Sequence, residues 1–190
     1  MKNIAVFVSG SGSNAENLFR YFEHSEAARV TFMVSNKKDI FALTRARDLG
    51  LESAVYSRQQ FSDPLVVLHE LKRRRIDYIV LAGFLMLLPE CITQAYPGRI
   101  LNIHPALLPK YGGKGMYGDQ VHRAVIQAGE KESGITVHHV NEKYDSGDIV
   151  FQAKVEVTDQ DTPQSLAEKI HALEYLHFPK IVESEIRKLR

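Results

Sequence analysis

The chain has 190 residues, of which 44% are hydrophobic and 25% charged, and its formal net charge is +1. That length supports one domain with a substantial core or at most two very small ones, and the balanced charge supplies no basic field for a nucleic acid or an anionic membrane. Cys91 is the only cysteine, which excludes an intrachain disulfide and a cysteine-rich zinc cluster. No apolar stretch approaches the roughly 18 residues of a membrane span, so a soluble cytoplasmic protein is expected.

The elements alternate from the start. Residues 4–8 form a short apolar run bounded by turn residues, as a buried strand does. A helix opened by small polar residues follows at 14–22, then a strand at 30–34, and a helix at 41–49 stopped by Gly50. A short strand is expected at 52–56. Residues 64–75 then read as a long amphipathic helix, with Pro64 suited to its first turn and Leu65, Leu68 and Leu71 at helical spacing. The apolar run 78–82 is a central strand ending in Gly83. A short helix at 89–96 leads into a strand at 99–104. This alternation specifies a parallel sheet with helices on both faces.

Beyond His104 the texture changes. A loop rich in Gly and Pro spans 105–118, a helix 119–128, two β-branched strands 135–140 and 149–157, and a closing helix 163–188. The expected fold is therefore a doubly wound, Rossmann-like α/β sheet, mostly parallel, with antiparallel strands added in the C-terminal half.

Two segments carry chemistry. Ser9-Gly10-Ser11-Gly12-Ser13-Asn14 joins the first strand to the first helix. Its glycines let backbone N–H groups approach an anion, and the helix N-terminus adds partial positive charge. Ala15 replaces the last glycine of a dinucleotide fingerprint and no Gly-Lys-Ser/Thr follows, so one phosphate is the economical ligand. In Leu101-Asn102-Ile103-His104-Pro105, strand alternation puts Asn102 and His104 on one face, and Pro105 ends the strand. His104 then stands at the carboxyl edge, where doubly wound sheets bind ligands. An amide can donate to an oxyanion and an imidazole can move a proton, a pairing suited to acyl transfer. A nearby carboxylate would raise the imidazole's pKa, and the turn Tyr144-Asp145-Ser146-Gly147-Asp148 offers one. His138 and His139 are neighbours on a strand and point to opposite faces, so they do not share a metal ion. No metal is expected.

Together these pieces, with Leu81-Ala82-Gly83-Phe84 and Asp145-Ser146-Gly147-Asp148-Ile149, identify the chain by resemblance as a member of the phosphoribosylglycinamide formyltransferase family along essentially its whole length. The resemblance implies transfer of a formyl group from 10-formyltetrahydrofolate to the amine of N1-(5-phosphoribosyl)glycinamide, in the branch of metabolism that builds purines. It implies a catalytic set of Asn102, His104 and Asp145. Gly12, Ser13, Asn14 and Glu174 would hold the nucleotide, and Arg58, Leu85, Met86, Leu87, Leu88 and Asn102 would border the folate. Met86 stands where some relatives carry arginine. The loop around Lys110 and Lys114 is longer and richer in glycine than in some relatives, and neither lysine has an implied role.

The resemblance further implies a single domain, 1–190. Its N-terminal half, to about residue 100, would bind the nucleotide, and the half from about 101 would carry the catalytic and folate loops. Partners would be the two small substrates, not nucleic acid or a membrane, in a monomer or homodimer. Methionyl-tRNA formyltransferase shares such a core, but the chain lacks the basic surplus expected of a tRNA binder.

Overall fold

The computed structural model describes residues 1–189, and among them seven strands form one mixed sheet. In chain order these are β1 (Lys2–Val8), β2 (Ala28–Ser35), β3 (Ser53–Val55), β4 (Tyr78–Leu81), β5 (Ile100–His104), β6 (Glu132–His139) and β7 (Ile149–Glu156). Their spatial order is β3-β2-β1-β4-β5-β6-β7. Strands β1 to β5 pair in parallel, whereas β6 pairs antiparallel with both β5 and β7. The expected doubly wound architecture with a C-terminal antiparallel addition is the one found.

Helices cover both faces. On one side, α1 (Ser13–Phe22), α2 (Phe41–Asp48), α6 (Asp119–Gln127) and α7 (Pro163–Arg187) pack on Ile4, Val6, Val8, Leu101 and Ile103. On the other, α3 (Arg58–Ser62), α4 (His69–Arg73) and α5 (Glu90–Ala95) lie over Ala5, Phe7, Ile79 and Ile100. Neighbouring strand residues thus feed opposite cores, as the pleat requires. No helix among the described residues is long and apolar enough to cross a membrane.

Two stretches differ from the sequence expectation. The stretch 57–62, to which the sequence expectation assigns no element, is the short helix α3, held by a capping box in which Ser57 and Gln60 bond each other's backbone N–H. The long helix expected at 64–75 divides. Pro64–Leu68 is a π-helical turn, with the His69 N–H reaching back to the Pro64 carbonyl, and it passes into α4.

Pro179 sits inside α7 without ending it. Proline has no N–H for the carbonyl four residues back, here that of Tyr175. Asn17 of α1 supplies the missing donor, its Nδ2 lying 3.1 Å from that oxygen. Tyr21 of α1 and Ser25, in the turn just beyond that helix, donate to Glu183 of α7 at 2.7 and 2.8 Å. Through these bonds α1 fixes the depth of the preceding turn of α7, which carries Glu174.

β1 pairs with β2 on one side and β4 on the other, so the winding reverses between β1 and β4. Chains leaving the carboxyl ends of these strands part in opposite directions and leave a crevice.

Candidate active site

That crevice is a cleft of about 550 Å³, lined at its base by the turn after β1, the segment after β4 and the end of β5. Gly12 caps α1 in a left-handed conformation, φ 76°, and no side chain bonds the first-turn N–H groups. Those donors have no partner inside the helix and remain available to an anion. A side chain at 12 is excluded as well, because its Cβ would lie 2.5 Å from Cβ of Ala42. Ser9, buried at the end of β1, accepts from the Leu85 N–H at 3.0 Å and donates to Asn36 at 2.6 Å, which joins the β1 and β4 loops.

Asn102 and His104 project from one face of β5, as alternation requires. Register places Asn102 opposite His138 and His104 opposite Thr136 on β6. Thr136 donates to the Ala106 carbonyl at 2.6 Å and accepts from the Leu108 N–H at 3.0 Å, so the turn after His104 is pinned to the sheet.

The hydrogen-bond chain around Asn102 can be followed donor by donor. Nδ1 of His138 lies 2.8 Å from the His139 carbonyl, which can only accept, so Nδ1 carries the proton. Nε2 is then an acceptor and takes a hydrogen from Nδ2 of Asn102 at 3.0 Å. The second amide hydrogen points to Oδ1 of Asp145 at 3.4 Å, a long contact that is easily redirected.

Asp145 reaches this point from the β6–β7 connection. Its own backbone is left-handed, φ 49°. The connection is closed by the His139 N–H on the Asp148 carbonyl at 2.9 Å. Gly147 is packed so closely on the His139 carbonyl that a Cβ there would lie 1.8 Å from the oxygen. Oδ2 of Asp145 accepts from the Gly113 N–H at 2.9 Å and lies 3.5 Å from Nδ1 of His104. The other ring nitrogen of His104 donates to the Tyr111 carbonyl at 2.7 Å.

His104 is 3% exposed. Burial pushes its pKa below the ordinary 6.5, and outweighs Asp145 and the Tyr111 carbonyl, which pull it upward. The sequence expectation that a carboxylate would raise this value is therefore corrected: the carboxylate is there, and desolvation wins. Burial likewise acts to raise Asp145, but the imidazoles of His138 and His104 and the Gly113 N–H together hold it below the usual carboxylate value. Nδ1 of a neutral His104 is the free base of the site, with an ionised carboxylate beside it.

Glu174 also lines the cleft. It is 6% exposed, accepts from Nδ2 of Asn14 at 2.8 Å, and burial raises its pKa above the usual 4.5. Beside it, Oδ1 of Asn14 and Nδ1 of His122 are buried without a hydrogen-bond partner. Two unsatisfied polar atoms on the wall of a cleft suit it to a polar ligand that can bond them.

A model of the formyl transferase family matches residues 2–182. The chain belongs to this family. It is 42% identical over 187 residues to the chloroplastic phosphoribosylglycinamide formyltransferase of Arabidopsis thaliana, covering 95% of the chain and 64% of that protein. It is 37% identical over 188 residues to the phosphoribosylglycinamide formyltransferase of Haemophilus influenzae, covering 96% of the chain and 86% of that protein. The solved phosphoribosylglycinamide formyltransferase of Bacillus halodurans superposes with a TM-score of 0.88 at 30% identity, over 100% of the chain and 97% of that structure.

Of the residues expected at the site, Gly12, Ser13, Asn14, Leu85, Asn102, His104, Asp145 and Glu174 all border the main cleft. Met86, Leu87 and Leu88 instead line a small adjoining pocket with Asn102, His138 and Tyr144. Its volume is about 40 Å³, the space of one or two waters. The Leu87 N–H bonds the Tyr144 hydroxyl at 3.1 Å across this pocket. Arg58 does not join either group. It is the first residue of α3, exposed, and its side chain has no partner among the described residues. Asp148 is exposed and contributes its carbonyl to the loop closure. His139 faces away from the cleft, with Nε2 3.5 Å from Glu185, so the two adjacent histidines do point to opposite faces. Sequence reasoning misses His138 as a site residue, because a lone strand histidine has no signal until its cross-strand partner is known.

Proposed function

We infer that this formyltransferase moves the formyl group of 10-formyltetrahydrofolate onto the amine of N1-(5-phosphoribosyl)glycinamide, giving formylglycinamide ribonucleotide and tetrahydrofolate for purine synthesis. The observation that carries this reading is the convergence of Asn102, His104 and Asp145, from two distant segments, in the same cleft as the phosphate-sized 10–14 turn. The names of the relatives at 42% and 37% identity support phosphoribosylglycinamide as the acceptor of a formyl group.

The nucleotide brings its own nucleophile, so the protein needs no serine or cysteine to form a covalent intermediate. The first-turn N–H groups of α1, with Ser13 and Asn14, hold the phosphate, and Glu174 orients the glycinamide end. The donor lies along residues 85–88, where backbone groups meet its ring. Opening the 40 Å³ pocket there requires the Tyr144 loop to give way.

As the substrate amine attacks the formyl carbon, the carbonyl oxygen becomes negative. The second hydrogen of the Asn102 amide turns from Asp145 to that oxygen, a contribution of roughly 10²–10³ in rate. Nδ1 of neutral His104 takes the proton released by the new carbon–nitrogen bond. The imidazolium so formed is stabilised by Asp145 and returns the proton to N10 of the folate as the old carbon–nitrogen bond breaks. Acid–base help of this kind is worth roughly 10²–10⁴.

One assay tests the reading. Incubation with 10-formyltetrahydrofolate and glycinamide ribonucleotide should release tetrahydrofolate in equal amount to the formylated nucleotide. Release without the nucleotide would make the protein a hydrolase, and no release would make it a binding module.

A further inference from the structure

The main cleft has an imbalance of charge. Asp145 and Glu174 line it, and the nucleotide would bring a phosphate carrying roughly −1.5 to −2 charges. Among the described residues one lysine, Lys114, and no arginine lines the same space. Arg45 of α2, which reaches toward the α1 turn, is already taken by Glu16 and by the Ser11 carbonyl. Lys143 lines the smaller pocket instead.

Lys114 is presented by a built turn. The Met116 N–H bonds the Gly113 carbonyl at 3.1 Å, which puts Lys114 and Gly115 at the two central positions. Gly115 has φ 91°, the conformation that the third position of such a turn reserves for glycine. The segment leading into the tip is anchored. Lys110 and the Tyr111 hydroxyl both donate to Glu130 at 2.9 Å. The Tyr111 carbonyl holds His104, and the Gly113 N–H holds Asp145. Lys114 itself is exposed and makes no ion pair with any described residue.

We propose that Lys114 is the counter-ion of the nucleotide phosphate, and so a substrate-positioning residue held on the turn that also grips His104 and Asp145. The inference rests on the substrate pair proposed above. An ammonium is a point charge with three donors, suited to a phosphate held in the cleft that Lys114 and the α1 turn both line. The turn's bonds to both catalytic side chains would set the phosphate at a fixed distance from the reacting centre. Lys110, by contrast, is an anchor, its charge already spent on Glu130.

The test compares wild type, Lys114→Met and Lys114→Arg for affinity toward glycinamide ribonucleotide by calorimetry, and toward the phosphate-free riboside by competition. Methionine keeps the stem and removes the charge. It should weaken nucleotide binding about 10-fold, leave the riboside unchanged, and lose its disadvantage as salt is raised. Arginine should restore affinity to within about 3-fold. Unchanged nucleotide affinity in Lys114→Met overturns the assignment, as does equal weakening of the riboside or an effect confined to the folate KM. Failure of the wild type to bind the nucleotide would overturn the substrate reading instead.

Discussion

The Asn102 amide donates to Nε2 of His138 at 3.0 Å, and the direction of that bond is set across the ring by the His139 carbonyl. His138 therefore acts through Asn102 as a positioning residue. Replacing it by alanine frees the amide to rotate, which should lower kcat by roughly 10- to 100-fold while KM for the nucleotide moves little. His138→Gln, whose carbonyl can accept the same hydrogen, should recover part of the loss. With Asn102 already changed to alanine, removing His138 should cost little more, because the two act in series. A matching rise in KM, or additive losses in the double variant, would contradict this role.

His104 rests neutral because burial holds its pKa below the ordinary 6.5. The working base is lost only when protonation reaches it, so kcat/KM should be flat near neutral pH and fall on the acid side below 6.5. Asp145→Asn removes the charge that pulls His104 upward while keeping an acceptor for the Gly113 N–H. It should move the acid limb to still lower pH and lower kcat by roughly 10²–10³ with nucleotide affinity intact. Stability follows the same sign. The unfolded chain takes up a proton near 6.5 and the native site resists it, so this group's contribution is complete above that value and lost as pH falls. A pH–rate profile for the two proteins decides the matter, and an acid limb at or above the ordinary histidine value would refute it.

Much of this site is legible in the sequence, for local reasons. Strand alternation alone puts Asn102 and His104 on one face, Pro105 sets the end of β5, and the glycine turn announces α1. What stays hidden depends on register. A slip of one residue between β5 and β6 would set Val137 or His139 opposite Asn102 and turn His138 to the other face. The burial that lowers the pKa of His104 and raises that of Glu174 is a property of packing between distant elements, invisible in either residue's neighbours. The helix at 58–62 is different. Its Ser57-Arg58-Gln59-Gln60 start is a readable capping pattern, obscured because the whole helix has only five residues before Asp63 ends it.

Gly12 combines a left-handed backbone, φ 76°, with contact so close that a Cβ would stand 2.5 Å from Cβ and 2.8 Å from Cα of Ala42. Gly12→Ala should therefore destabilise the fold by about 2–4 kcal/mol, from backbone strain and overpacking together, and should abolish nucleotide binding. A Cβ added at Gly10, in the same turn, would meet nothing within 4 Å. Gly10→Ala should stay within about 0.5 kcal/mol of wild type. Denaturant unfolding of the pair separates steric demand at 12 from a general need for glycine in the turn.

Glu174 is a carboxylate whose place in the fold works against its charge. Burial raises its pKa above 4.5, and the Asn14 amide offsets only part of that cost. Glu174→Gln keeps an oxygen for Asn14 and removes the charge, so at neutral pH the variant should be more stable by about 1 kcal/mol. The gain should shrink as pH falls, because the native carboxyl takes up its proton before the unfolded one and then resembles the amide. Affinity for glycinamide ribonucleotide should drop by roughly 10-fold, the loss expected when a charged acceptor for the substrate amine becomes neutral. Thermal unfolding at neutral and mildly acidic pH, alongside calorimetry with the nucleotide, reads both effects. A variant that is less stable at every pH would show that the carboxylate holds the fold together, whereas added stability with weakened binding marks it as a residue retained for its ligand.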